Sequence, residues 1–146
     1  MSNKYLNYFI LKVFLLMNEN ENDNDFSRIF ELDNKPKTPL DKFIYIFSKK
    51  VELSEETILV SLCILNKIKK KILINEKSIY LFSIFLFRIA DKYHEDKHFY
   101  NDYWAEVINM KLKDFNYLEY KLLSLLNFNV HVSIEEYNNV NKNLCV

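Results

Sequence analysis

The sequence predicts an all-α protein: a five-helix bundle around an apolar third helix, with an additional N-terminal helix and a short C-terminal helix. Three observations carry this. Apolar residues recur at spacings of three and four along most of the chain, with no convincing period-two alternation that would mark strands. Helix-start signals precede those runs at Thr38-Pro39, Ser54-Glu55-Glu56 and Ser133-Ile134-Glu135-Glu136. Glycine is absent and only two prolines occur, which excludes glycine-dependent hairpin turns, glycine-rich phosphate loops and a dinucleotide fingerprint together.

In chain order, residues 4–17 set Tyr5, Tyr8, Phe9, Leu11, Val13, Leu15 and Leu16 at helical spacing with a narrow polar face, so this helix must pack on something. The run NENENDND from Asn18 to Asp25 has nothing to bury and reads as a link. Thr38 as N-cap and Pro39 at the first helical position open the first bundle helix, which runs to about Lys50 with Leu40, Phe43, Ile44 and Phe47 on its apolar face. Ser54 caps the second, where Ile58, Leu62, Leu65 and Ile68 repeat; lysines 67 and 69–71 suit its negative end and read as a solvated terminus. The third spans about Lys77 to Tyr93, and Ile79, Phe82, Leu86, Ile89, Ala90 and Tyr93 turn around an almost wholly apolar cylinder, which makes it the central helix. A short fourth helix, about Asn101 to Asn109, carries Trp104 and Val107 inward. The fifth, about Leu112 to Leu126, buries Phe115, Leu118, Leu122, Leu125 and Leu126. The last capping box opens a C-terminal helix through Asn143. The predicted organisation is residues 1–37 as N-terminal helix and link, 38–130 as the bundle, and 131–146 as the C-terminal helix.

Composition narrows the function classes. A chain of 146 residues, 49% hydrophobic, suits one core. Twenty basic and twenty acidic residues cancel, so no broad field steers the chain onto nucleic acid, and a protein partner fits better. Cys63 in an apolar helical run and Cys145 near the end match neither a disulfide framework nor a paired metal site, which suits reduced thiols in a nuclear or cytoplasmic protein. The apolar run Tyr5–Met17 falls short of the roughly 20 residues of a membrane span, and no small-residue cleavage site follows it.

Beyond architecture, the residues resemble a cyclin box, specifically that of P/U-type cyclins. Ser54-Glu55-Glu56 leading to Ile64-Leu65-Asn66-Lys67-Ile68 is similar to the family's Ser-x-Glu leading to Tyr-Leu-Asp-Arg-Leu. Ile89-Ala90-Asp91-Lys92-Tyr93 resembles Ala-x-Lys-Phe, and Glu95-Asp96 with Phe99-Tyr100-Asn101 resembles Asp-Asp-x-Tyr-Tyr-Asn-Asn. Trp104-Ala105-Glu106-Val107 looks like Trp-Ala-x-Val, Phe115-Asn116-Tyr117-Leu118-Glu119 like Leu-Asn-x-Leu-Glu, and Leu125-Leu126-Asn127-Phe128-Asn129-Val130 like Leu-Leu-x-Phe-x-Leu. The resemblance covers about Leu40 to Tyr137, with one box and no second one expected. Two positions depart from the pattern: Ile108-Asn109 replaces Gly-Gly, and Ile46 stands where the first box helix usually has Arg.

The resemblance implies a non-catalytic regulatory subunit that binds and activates a cyclin-dependent protein kinase by positioning the kinase C-helix, so that its Glu pairs with the Lys that places ATP. It assigns kinase contact to Lys92 and Glu119, whose charged groups suit gripping a partner's backbone. Neither reads as core, so alanine at either is expected to leave the melting temperature unchanged. Phe43, Phe99 and Tyr103 are candidate groove aromatics, and Trp104 reads as core. No cofactor, metal or small-molecule ligand is implied, and neither nucleic acid nor membrane is an expected partner. The competing enzyme reading is His94-Glu95-Asp96-Lys97-His98, which satisfies the H-E-x-x-H zinc-peptidase pattern with Glu119 as a conceivable third ligand. Against it stand the charged Asp96-Lys97, the helix end expected near Tyr93 and the absence of a predicted sheet to form a substrate edge. A cyclin-fold transcription adaptor would call for a basic face, and an unclassified helical scaffold is the remaining alternative.

Overall fold

The computed structural model describes residues 3–19, 28–96 and 99–144. Among these it has seven α-helices and no strand. α1 (Asn3–Glu19) buries Leu6, Phe9, Ile10, Val13 and Leu16, one stripe at helical period, against three helices of the bundle. Its Phe9 ring lies 4.4 Å from that of Phe87. Leu11 and Leu15, which the spacing predicts to pack, instead face outward, because the stripe through Phe9 and Val13 is the one the bundle covers. The acidic run read as a link begins inside α1, and its remaining residues, 20–25, lie outside the described residues. The chain then returns to the core through Phe30, buried against Phe82 and Phe85, and Leu32 N–H donates to the Lys77 carbonyl at 3.0 Å.

α2 (Leu40–Lys50) starts one residue later than its signal predicts. Pro39 occupies the N-cap position, and no side chain caps the helix. Thr38 does not act as the cap; its carbonyl is fixed instead by the Tyr80 hydroxyl at 2.6 Å, a tertiary partner invisible to local pattern. α3 (Glu55–Ile68) is capped as expected, Ser54 Oγ accepting from Thr57 N–H at 3.1 Å. α4 (Ile79–His94) is the central helix: every residue from Ile79 to Asp91 is buried. An Asn75 side chain that accepts from the Lys77 and Ser78 N–H groups turns the chain into it. Tyr93, predicted as part of its apolar cylinder, is 42% exposed, since α4 leaves the core after Asp91.

α5 (Asn101–Val107) is two turns long and is held by Trp104, fully buried with its ring 5.1 Å from Phe47. α6 (Leu112–Leu125) buries Phe115, Leu118, Leu122 and Leu125, with Phe115 4.6 Å from Phe85 of α4. α7 (Ile134–Leu144) opens with the predicted capping box: Ser133 Oγ accepts from Glu136 N–H at 3.0 Å, and a Glu136 carboxylate oxygen accepts from Ser133 N–H at 3.2 Å. It packs on α3, and Lys67 reaches Glu136 at 3.6 Å. No described helix is long and apolar enough to cross a membrane.

Three helix ends share one device. The amides of Leu53, Met110 and Phe128 reach back to the carbonyls of Ser48, Ala105 and Leu123, and those of Glu52, Asn109 and Asn127 to Lys49, Glu106 and Ser124. These are Schellman closures, which need a left-handed residue and usually employ glycine. Here Glu52, Asn109 and Asn127 take it, with φ of 55°, 54° and 53°. The Ile108-Asn109 departure is thereby resolved: only the second position needs positive φ, and asparagine tolerates it.

Candidate functional site

Where α4 leaves the core it meets α6, and the two helices bring Lys92 and Glu119 together. The Lys92 ammonium lies 2.8 Å from both Glu119 carboxylate oxygens. Its side chain is 38% exposed, whereas that of Glu119 is 11% exposed. Asn101, the first residue of α5, donates from Nδ2 to Glu119 Oε1 at 3.0 Å and to Asn116 Oδ1 at 2.8 Å. Glu119 Oε1 therefore takes both of its hydrogen bonds inside the protein, and Oε2 meets Lys92 as an ion pair. Lys92 carries three donors and keeps part of its capacity for solvent or a partner.

Beneath this pair lies a residue that the apolar reading of the central helix passes over. Arg88 is fully buried, with Nη1 donating to the Phe99 carbonyl at 2.9 Å and standing 3.4 Å from Asp91. Its Nε is 3.9 Å from Glu119, and its guanidinium stacks 4.7 Å from the Trp104 ring centre. Burial pushes the guanidinium pKa below its ordinary value, while Asp91 and Glu119 push it back up. Two cations and two carboxylates thus balance around the α4, α5 and α6 junction. The detectable signal was Arg88-x-x-Asp91, an opposite-charge pair at i,i+3 inside an apolar run.

Exposed rings follow each member of the pair in sequence. Tyr93 follows Lys92 and accepts from Val132 N–H at 3.4 Å, and Tyr120 follows Glu119 with its ring 5.8 Å from Phe128. Tyr120 and Phe128 are both more than half exposed.

The expectation that Glu119 lies outside the core is corrected here: it is buried, because it balances Arg88 as well as Lys92. The candidate aromatics separate. Phe43 packs edge-on to Tyr80 at 5.1 Å, while Phe99 and Tyr103 stack at 4.5 Å and Tyr103 donates its hydroxyl to the Lys50 carbonyl at 2.8 Å. Ile46 and Ile108, the two departures from the family pattern, line one cleft of about 180 Å³ between α2 and the end of α5.

Of the zinc-like pattern, His94 is the last residue of α4, and His98 lies outside the described residues. Glu95 is engaged elsewhere: one carboxylate oxygen accepts from Ser54 Oγ at 2.6 Å and Thr57 Oγ1 at 3.2 Å, tying the end of α4 to the start of α3. Among the described residues no group of three or more potential ligands is placed to hold a metal ion. Cys63 is buried within α3, and burial, with Glu136 adding to it, pushes its thiol up to about 11.

The domain is all-helical, built on an apolar central helix, with the Lys92–Glu119 pair at the junction of α4 and α6. The family model described as Cyclin matches residues 17–130, so the chain belongs to the cyclin family, in general a non-catalytic regulatory one. A sequence search of curated proteins finds no match.

Proposed function

We propose that this protein is a regulatory cyclin of the P/U type that binds and activates a cyclin-dependent protein kinase, with Lys92 and Glu119 in the contact. The observation that carries the reading is the Lys92–Glu119 pair itself: a partly exposed ammonium, pinned by a buried carboxylate on a neighbouring helix. A partner helix laid across α4 and α6 finds there a charged donor for its backbone carbonyls. Lys92 is the primary contact and Glu119 its support. Because the surface is built before the partner arrives, binding favours whichever kinase conformation fits it, and activation follows as a population shift. The P/U assignment rests on the motifs from Glu95 through Val107, and a nuclear or cytoplasmic location follows from the partner.

The test is affinity capture with the full chain, mass spectrometry of what is retained, and assay of the recovered kinase with and without added protein. Recovery of a cyclin-dependent kinase whose activity rises on addition supports the reading. Recovery of none, with the chain folded, removes it.

A further inference from the structure

The central helix is otherwise uncharged through its buried length, yet it carries Arg88 and Asp91 inside. Stability does not explain them, since replacing a buried ion pair with apolar side chains of similar volume is commonly neutral or stabilising. Their contacts suggest another role. Arg88 holds the chain entering α5 through the Phe99 carbonyl, stacks on Trp104 of α5 and draws on the Glu119 carboxylate of α6. That carboxylate lies between two cations: Arg88 inside at 3.9 Å and Lys92 outside at 2.8 Å. A carboxylate shared with an inner cation neutralises the outer one less. Asp91, 3.4 Å from Arg88 Nη1, compensates part of the inner charge.

We propose that Arg88, balanced by Asp91, is a positioning residue for the partner-binding pair: it seats the Glu119 carboxylate and the start of α5 so that Lys92 is presented outward. The inference rests on the kinase-binding reading above and adds to it a buried determinant of affinity that never touches the kinase.

The experiment is a cycle on the full chain against the kinase that the parent captures. Replacing Arg88→Leu and Asp91→Ala together removes both inner charges without orphaning either. Its melting temperature is expected within a few degrees of the parent, and its kinase affinity should fall about tenfold. In a Lys92→Ala background the same replacement should cost nothing more, because the inner residues act through Lys92. Undiminished affinity in the double replacement, or losses that simply multiply, would overturn the proposal. Should that variant fail to fold, Arg88→Lys takes its place in the same cycle, keeping the charge but losing the planar guanidinium that reaches the Phe99 carbonyl and lies over Trp104. If the folded parent captures no kinase, the functional reading falls by itself, and the positioning is decided without a partner. Lysine amines are then dimethylated with a carbon-13 label, and the Lys92 signal, identified by its loss in Lys92→Arg, is compared between parent and Arg88→Lys. A displaced signal supports the positioning, and an unmoved one refutes it.

Discussion

Lys92 and Glu119 lie 27 residues apart in sequence, yet the ammonium of one meets the carboxylate of the other at 2.8 Å, and only the lysine reaches far into solvent. The two are therefore unequal under mutation. Glu119→Ala leaves the buried Arg88 with less compensation and should destabilise the domain by roughly 3 kcal/mol, as breaking buried pairs does. Lys92→Ala should change stability by less than about 1 kcal/mol, as for exposed pairs. Urea denaturation of both variants checks this ordering, and equal midpoints would contradict the burial difference.

Kinase binding should show the opposite emphasis. Charge-assisted hydrogen bonds to a partner backbone are worth roughly 1.5–3 kcal/mol, so Lys92→Ala should weaken binding about ten- to a hundredfold while the fold persists. Lys92→Glu should weaken it further, because two adjacent carboxylates then face the partner carbonyls. The check is titration calorimetry beside thermal unfolding. A Lys92→Glu variant that binds like the parent would remove this face from the interface.

Glu52 holds φ of 55° at the end of α2, a conformation that disfavours a side chain with a Cβ. Glu52→Gly should stabilise the domain by about 0.5–1 kcal/mol, read as a rise of roughly 2–4 °C in melting temperature. Asn109→Gly should change it less, since asparagine already tolerates the left-handed region. A lowered melting point for Glu52→Gly would show that α2 ends differently.

The capping box of α7 sets an acid limit. Hydrogen bonding from the Ser133 amide, with smaller help from the Ser133 side chain and Lys67, holds the Glu136 carboxyl below its ordinary pKa. A depressed carboxyl contributes stability that is present above its unfolded pKa and lost as pH falls through the folded one. Glu136→Gln should therefore melt lower than the parent near neutrality and converge with it on acidification below about pH 4. Melting temperatures across that range test the sign; a constant gap would show that Glu136 contributes nothing through its charge.

Much of this architecture was legible because burial follows helical period. Ile58, Leu62, Leu65 and Ile68 declare α3, and Ser133 with Glu136 declares the start of α7. The Lys92–Glu119 assignment came from family resemblance; the structure brings the two residues together but leaves the kinase contact to experiment. What local pattern could not supply was partnership at a distance. Thr38 loses its cap role because Tyr80 holds its carbonyl, and Leu11 faces solvent because the bundle covers only the other stripe of α1. Arg88 was hidden for the same reason, since its partners at Phe99, Trp104 and Glu119 belong to elements that only folding assembles.

The glycine-free helix stops carry a consequence for how the chain reaches this structure. Glu52, Asn109 and Asn127 bend backward without the one residue that does so freely, so composition supplies little punctuation and packing must supply the rest. The break between α5 and α6 is the clearest case: Trp104, lodged between Phe47 and Arg88, anchors a helix of seven residues that could not persist alone. Before the core closes, Asn109 is the one local mark of that break, weaker than a glycine would be. Without α4 and Phe47 to hold Trp104, a peptide spanning residues 101–125 should be more helical through 108–111 than the folded protein is, as amide exchange of the peptide would read.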